Sequence, residues 1–165
     1  MNLDYQKVEG FVEFIIEHKN GLLEKYTKKN TILRKGKEAL AATLANSHIS
    51  LSTGEPSDRN SFNITRMIFG DGGTVNNSPK SVSDSRTSLF GTKIISKPAI
   101  ASIDPKVRTE VIFTSVASYA DGNGSIINEM ALEMANGELY SMVTFPDLTK
   151  TPQIQITWNW RINFI

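Results

Sequence analysis

A strict alternation of apolar and polar residues near the C-terminus constrains the fold of this chain most. One parity of the segment 154–164 carries only large apolar side chains, namely Ile154, Ile156, Trp158, Trp160, Ile162 and Phe164. The intervening positions, from Gln153 to Asn163, are all polar. A repeat of two is the repeat of a β-strand with one buried face. The segment therefore predicts a long antiparallel strand over a core.

Period-two patterns also predict a hairpin near the N-terminus. Glutamates occupy positions 9, 13 and 17, and apolar residues occupy the opposite parity at 8, 12, 14 and 16. Asn20-Gly21 is typical of a type I′ turn, and a return strand is predicted over about 22–33. Further strands are predicted at about 64–69, 92–103, 107–118, 125–135 and 138–145, the last two being joined by a second hairpin signal, Asn136-Gly137.

One helix is predicted, at about 35–46, because alanine and leucine dominate that segment and Leu40 and Leu44 lie four residues apart on one face. A helix of about three turns is too short to be stable alone and must pack on the sheet. The segment at about 70–91 begins with Gly70-Asp71-Gly72-Gly73 and predicts a long polar loop, a place where contact with a partner is expected. Together these elements predict an all-β fold with one short helix, an antiparallel β-sandwich formed as a single domain by residues 1–165.

Charge and cysteine content exclude several classes of function. Lys and Arg number 18 against 17 Asp and Glu, and a net charge of +1 gives no global field for nucleic acid or an anionic membrane. The absence of cysteine excludes disulfides, thiolate zinc sites and a cysteine nucleophile, and indicates a reducing compartment. The first residues lack the pattern of a signal peptide, and no apolar run approaches a membrane span of about 18 residues. We expect a chain made in a cytoplasm, with no membrane partner and no specific nucleic-acid partner.

Candidate metal and phosphate sites are each better explained by ordinary structure. His18 and His48 have no neighbouring ligand pattern, which favours surface histidines over zinc or iron ligands. Asp121-x-Asn123-x-Ser125 is similar to the opening of a calcium loop, but Leu132 stands where the twelfth-position glutamate is needed, so a hairpin turn is favoured. The glycines at 70–73 do not complete a dinucleotide fingerprint, and no helix is predicted after them.

The candidate catalytic and ligand-binding side chains are also better explained by ordinary structure. Glu129 and Glu133 are interpreted as a solvated strand edge rather than a glycosidase pair. Trp158 and Trp160 would form a sugar-stacking platform if exposed, but their parity assigns them to the core. The lysines and arginine at 25, 28, 29, 34, 35 and 37 are interpreted as a solvated basic face, with contact to an acidic protein surface as the alternative. We predict a protein that is not an enzyme, with no catalytic, cofactor-binding or metal-binding residues and no cofactor.

Several segments, in order along the chain, resemble motifs of bacteriophage tail, collar-fibre and baseplate proteins. Residues 29–41 resemble an N-x-I-x-x-x-G-x-x-x-L-A stretch, and 68–74 resemble an aliphatic–G-D-G turn whose long loop contains Pro79 and leads to Leu89. Residues 127–132 resemble an I-N-E-x-G-L strand, with Ala131 in place of the glycine, and 137–145 resemble its G-x-L-x-x-x-x-x-F partner. Lys150 and the final strand complete the resemblance.

The resemblance implies a virion structural protein of a tailed phage, made in the host cytoplasm. It would form a symmetric homo-oligomer that connects or decorates tail, neck, collar or baseplate parts, with other virion structural proteins as partners. The loop 70–91 and the C-terminal strand are the expected contact elements, because a strand that runs to the last residue, Ile165, is often held by pairing or packing at its end. The alternative is a carbohydrate-binding β-sandwich module for attachment to a host surface.

Overall fold

The computed structural model describes residues 7–44 and 59–165, which form twelve β-strands, one α-helix and a short 3₁₀ helix. The strands are β1 Val8–His18, β2 Leu23–Lys29, β3 Thr31–Ile32, β4 Ile64–Gly70, β5 Thr74–Val75, β6 Ser78–Pro79, β7 Lys93–Pro98, β8 Ile100–Ser102, β9 Glu110–Ala117, β10 Ile126–Met134, β11 Leu139–Thr149 and β12 Ile154–Phe164. The helix α1 spans Arg34–Leu44, and the 3₁₀ helix spans Arg59–Phe62.

Two five-stranded antiparallel sheets pack together and form an all-β sandwich, which confirms the predicted fold class. The first sheet has the order β2-β1-β12-β9-β8, and the second has the order β3-β11-β10-β4-β7. Apolar side chains from both sheets share one core, in which strands β1, β9 and β12 face β4, β10 and β11. Strands β5 and β6 form a separate two-stranded sheet.

The final strand, β12, is the centre of the first sheet. It pairs with β1 over its whole length and with β9 on its other side. Trp158 and Trp160 are fully buried, and the ring of Trp158 lies 4.1 Å from that of Phe69 across the core. The inward parity predicted for this strand is therefore confirmed. Because both backbone edges of β12 are paired within the chain, this strand is not available for pairing with another subunit.

The turn predicted at Asn20-Gly21 has a different geometry from the one expected. The N–H of His18 donates to the Leu22 carbonyl, and the N–H of Gly21 donates to the His18 carbonyl, both at 2.9 Å. Only Gly21 has a positive φ, of 88°, whereas a type I′ turn needs two such residues, so the turn-type prediction was wrong. The hairpin itself is present, with a three-residue connection.

Two segments predicted as single strands divide between the sheets. The predicted return strand 22–33 pairs with β1 as far as Lys29 and then crosses to β11 as β3. At the crossing the buried Asn30 donates its N–H to the Gly10 carbonyl at 3.1 Å. The predicted strand 92–103 divides at the buried Ala99 into β7 of the second sheet and β8 of the first.

The helix α1 packs against β11 through small residues. Ala39 and Ala42 are buried, and a Cβ added to Gly36 would lie 2.3 Å from the carbonyl oxygen of Tyr140. Only glycine permits this approach of helix to strand. The helix begins one residue before the predicted start, and the predicted residues 45 and 46 lie outside the described residues.

Candidate functional site: the Gly-Asp-Gly lobe and the neighbouring groove

The segment 71–92, here called the lobe, connects β4 to β7 and contains the β5–β6 hairpin. Asn76 and Asn77 form the tip of that hairpin with φ values of 50° and 59°, which is the positive pair that a type I′ turn requires. The prediction of one long polar loop at 70–91 therefore missed this hairpin. The N–H groups of residues 72, 73, 90 and 91 in the lobe donate to side chains of the sheet beneath it.

Glu129 is the principal anchor of the lobe, although it lies on β10. Its side chain is 0% exposed, and its carboxylate accepts three backbone hydrogen bonds. The N–H groups of Gly72 and Gly91 donate to Oε1 at 3.0 and 2.8 Å, and that of Phe90 donates to Oε2 at 2.7 Å. One buried carboxylate thus joins the two ends of the lobe.

The interpretation of Glu129 as part of a solvated edge was therefore wrong. Glu133 is not on a sheet edge either, because β10 lies between β11 and β4, but its side chain is partly exposed and its carboxylate pairs with Lys93 at 2.9 Å. The two glutamates differ because the lobe covers one and leaves the other near the surface. A glycosidase pair is not formed, since the carboxylate of Glu129 is already engaged by the backbone.

Asn128 provides a second anchor beside Glu129. Its Oδ1 accepts the N–H of Gly73 at 2.6 Å, and its Nδ2 donates to Thr74 Oγ1 at 3.0 Å and to Asp147 Oδ1 at 2.9 Å. Asp147 reaches this position because β11 carries extra residues where the register with β10 shifts between Ile127 and Glu129. The bond from Asn128 and a second one from the Thr74 hydroxyl, at 2.7 Å, lower the pKa of Asp147, the one from Asn128 contributing most.

The lobe's glycines are required by direct backbone packing. A Cβ on Gly72 would lie 2.2 Å from the nitrogen of Gly91, and one on Gly73 would lie 2.2 Å from the carbonyl oxygen of Asn128. Real Cβ atoms do not approach so closely, and any other residue at these positions would force the lobe away from the sheet. The Gly-Asp-Gly-Gly sequence therefore follows from the close approach of three backbone segments.

Apolar packing completes the attachment of the lobe. Ile68, Ala131 and Met142 are buried on the outer face of the second sheet, with Leu89 and Phe90 of the lobe packed against this cluster. The guanidinium of Arg86 lies 3.4 Å from the centre of the Phe90 ring, and Arg86 also donates to the Leu89 carbonyl. The second sheet is thus covered on both faces, by the core on one side and by the lobe on the other.

The loop that resembles a calcium site is occupied by protein donors. Lys150 is fully buried, and its ammonium group donates to Asn123 Oδ1 and to the Thr151 carbonyl, both at 3.0 Å. Burial lowers the pKa of Lys150. Asp121 pairs with Lys97 at 2.7 Å, which lowers the pKa of Asp121. The oxygen atoms that a metal would need are therefore engaged in holding the loop.

The other predicted features are distributed over the surface. His18 Nε2 lies 2.6 Å from Glu24 Oε1, while His48 lies outside the described residues. Most lysines of the basic cluster pair with acidic side chains of this chain: Lys25 with Glu13, Lys29 with Glu9, Lys35 with Glu38 and Glu138, and Lys37 with Asp84. The basic face therefore carries much less free charge than its sequence indicates.

A groove of about 590 Å³ lies between β1 and β2 of the first sheet and the end of β11 in the second sheet. Its apolar lining includes Phe14, Ile16, Phe145, Pro146 and Leu148. Strand β2 contributes Glu24, Tyr26 and Lys28 to the lining, and His18 and Asp147 add further polar groups. This groove is a surface that the sequence analysis did not identify.

Sequence reasoning also missed the anchoring roles of Asn128, Glu129 and Lys150. The sequence does contain a pattern that indicates these roles: the polar residues lie within or beside otherwise apolar strands. An example is Ile126-Ile127-Asn128-Glu129-Met130. Buried polar residues of this kind are normally fully hydrogen-bonded, so they indicate a backbone or side-chain partner elsewhere. The identity of that partner depends on the fold.

Comparisons with known proteins yield no relative for this chain: no family model, no curated protein and no solved structure matches it. Within residues 7–44 and 59–165, no helix has the length and apolar character to cross a membrane. No three His, Asp or Glu residues in that part of the chain are grouped to hold a metal ion.

Proposed function

We propose that this chain is a structural protein of a tailed-phage virion, where it forms a symmetric oligomer that connects or decorates tail, neck, collar or baseplate parts. The observation that carries the proposal is the convergence of the motifs on which the phage resemblance rests. Gly70–Gly73 and Asn128-Glu129 are more than fifty residues apart in sequence, and their atoms are joined by hydrogen bonds of 2.6 to 3.0 Å. Motifs that resemble those of virion proteins are thus parts of one structural unit.

The chemistry of that unit supports a role in assembly rather than in catalysis. The carboxylate of Glu129, the amide of Asn128 and the ammonium of Lys150 are each engaged by groups of the same chain. A buried side chain that holds backbone in place is not free to bind substrate or transfer a proton. These residues hold the lobe in one position on the surface. A surface that is already ordered loses less conformational entropy when subunits associate.

The carbohydrate-binding alternative has less support. It needs exposed aromatic residues on a concave face, and Trp158 and Trp160 do not provide them, because both side chains are fully buried in the core. Sugar binding would therefore need other aromatic residues at the surface.

The proposal is tested in particles produced from the genome that encodes the chain. An antibody against the recombinant protein should label purified particles at the tail, neck or baseplate in immunogold electron microscopy. Particles purified from a strain with a stop codon in the gene provide the matched control. Absence of the chain from the purified wild-type particles would overturn the proposal.

A further inference from the structure

Strand β2 is an edge strand with an unpaired side and exposed apolar residues. Among residues 7–44 and 59–165 it pairs with β1 alone, so within that part of the chain one row of its backbone groups has no partner strand. Leu23 and Tyr26 are 64% and 53% exposed, and Leu22 just before them is 54% exposed. Unpaired strand edges of this kind are templates for pairing with another chain.

The hydrogen bonds at its two ends show which β2 residues have free backbone groups. His18 bonds to Leu22 and Asn30 bonds to Gly10, so the even-numbered residues form the hydrogen-bonded pairs with β1. The odd-numbered residues therefore direct their N–H and C=O groups to the free edge. These are Leu23, Lys25, Thr27 and Lys29.

The even-numbered side chains face the groove. Glu24, Tyr26 and Lys28 lie opposite Ile16, Phe14 and Val12 of β1, which are core residues, and so they occupy the inner face of the sheet. The groove separates these side chains from the end of β11, and Tyr26 is half exposed beside it. Lys28 is the lysine of β2 without a side-chain partner among the described residues, because Lys25 and Lys29 pair with Glu13 and Glu9 at 2.7 and 3.2 Å.

The sequence of β2 is complementary to itself in one antiparallel register. With Tyr26 opposite Tyr26 of a second copy, Glu24 lies opposite Lys28 and Lys28 lies opposite Glu24. Lys25 then lies opposite Thr27, and no like charges face each other. The odd-numbered residues with free backbone groups also lie opposite one another, as an antiparallel ladder requires.

The neighbouring registers lack this complementarity. A twofold axis at Thr27 places Lys25 opposite Lys29, and an axis at Lys25 places that lysine opposite itself. Like charges directly opposite each other destabilise a strand pair. The lysines of β2 therefore select one register rather than blocking the edge altogether.

We propose that β2 pairs antiparallel with β2 of a second copy of this chain about a twofold axis at Tyr26. The first sheet of one copy and the first sheet of the other then become one continuous sheet. The second copy also extends the wall of the groove. Such a contact is isologous, because each copy contributes the same residues. The inference rests on the proposed function for its biological meaning, since it supplies a contact between subunits of the oligomer.

Charge reversal on the full chain tests the pairing. The wild-type chain should have the mass of a dimer in multi-angle light scattering. Glu24→Lys and Lys28→Glu alone should each weaken dimerisation by at least about tenfold, because each places like charges opposite one another. An equimolar mixture of the two variants should restore the dimer, and native mass spectrometry should show one copy of each. Lys106→Glu, an exposed lysine outside β2, is the matched control and should remain dimeric.

A cross-link gives a second measurement that does not depend on charge. The chain has no cysteine, so Tyr26→Cys introduces a single thiol at the proposed axis. Non-hydrogen-bonded residues opposite each other in an antiparallel pair have Cα atoms about 4.5 Å apart, within the range of a disulfide. Mild oxidation should give a covalent dimer with Tyr26→Cys and much less of it with Lys106→Cys.

Two results would overturn the pairing. One is a wild-type chain that remains monomeric at high concentration, and the other is a dimer that neither charge reversal weakens and Tyr26→Cys does not cross-link. Neither result shows that the chain is absent from virions, so immunogold labelling remains the test of the proposed function. Conversely, a charge-dependent dimer from a chain absent from particles would support the pairing and overturn the virion role.

Discussion

Replacing Glu129 with glutamine changes one atom of a side chain that holds the lobe to the sheet. Of the carboxylate oxygens, Oε1 accepts the N–H groups of Gly72 and Gly91 and Oε2 accepts that of Phe90. Glutamine has one oxygen and one NH₂ group. If its oxygen keeps the two glycine contacts, its NH₂ group faces the N–H of Phe90, and two donors then oppose each other in a buried site.

The cost follows from these contacts. A hydrogen bond to a charged group contributes about 1.5–3 kcal/mol, and a buried donor left without an acceptor costs about 1–3 kcal/mol. Loss of the bond to Phe90, with weakening of the two that remain, should lower the free energy of unfolding by about 2–4 kcal/mol. That is a large share of the roughly 5–15 kcal/mol by which a native domain is stable.

Urea unfolding followed by tryptophan fluorescence measures the loss, because Trp158 and Trp160 lie in the core. Hydrogen exchange locates it, and we expect faster exchange at the amides of 72, 90 and 91. Glu133→Gln is the matched control, since it makes the same change on the same strand at a partly exposed ion pair with Lys93, where about 0–1 kcal/mol is expected. Equal unfolding midpoints for the two variants would refute the anchoring role of Glu129.

Three further changes test the fold. Trp158→Ala should lower the free energy of unfolding by about 3–5 kcal/mol in urea titrations, and an unchanged midpoint would contradict the burial of that ring. Gly36→Ala should destabilise the chain in thermal unfolding, because its Cβ would meet the Tyr140 carbonyl, and a gain in stability would show that the helix can move away. Lys97 lowers the pKa of Asp121, so the stabilisation by this carboxylate is present above pH about 4 and is lost as pH falls through the depressed pKa. The difference in melting temperature between wild type and Asp121→Asn should shrink over that acidic range, and a difference that does not depend on pH would contradict the ion pair.

Strand β12 was predictable because its pattern encodes burial directly. Each inward position from Ile154 to Ile162 is apolar, and the bounds and the buried face follow from the residues alone. The pattern does not state which sheet a strand joins. The crossings at Asn30 and Ala99 therefore could not be read from local periodicity, because pairing partners are set by contacts distant in sequence.

The site was less predictable for the same physical reason. Glu129 reads locally as a charged residue on a strand, and only the lobe from residues 71–92 makes it a buried acceptor. The groove beside β2 lies between two strands of the first sheet and residues 145–149 of β11, which no local pattern brings together. The reason for glycine at 72 and 73 lies in the backbone of Gly91 and Asn128, which approach these positions from distant parts of the sequence.

A density map of the particles produced from the encoding genome tests the proposed virion role most directly. We predict that the sandwich fits several equivalent positions around the axis of a tail, neck or baseplate, with copies in contact in pairs through their β2 edges. A map of the complete particle in which no density accepts this fold would contradict that role.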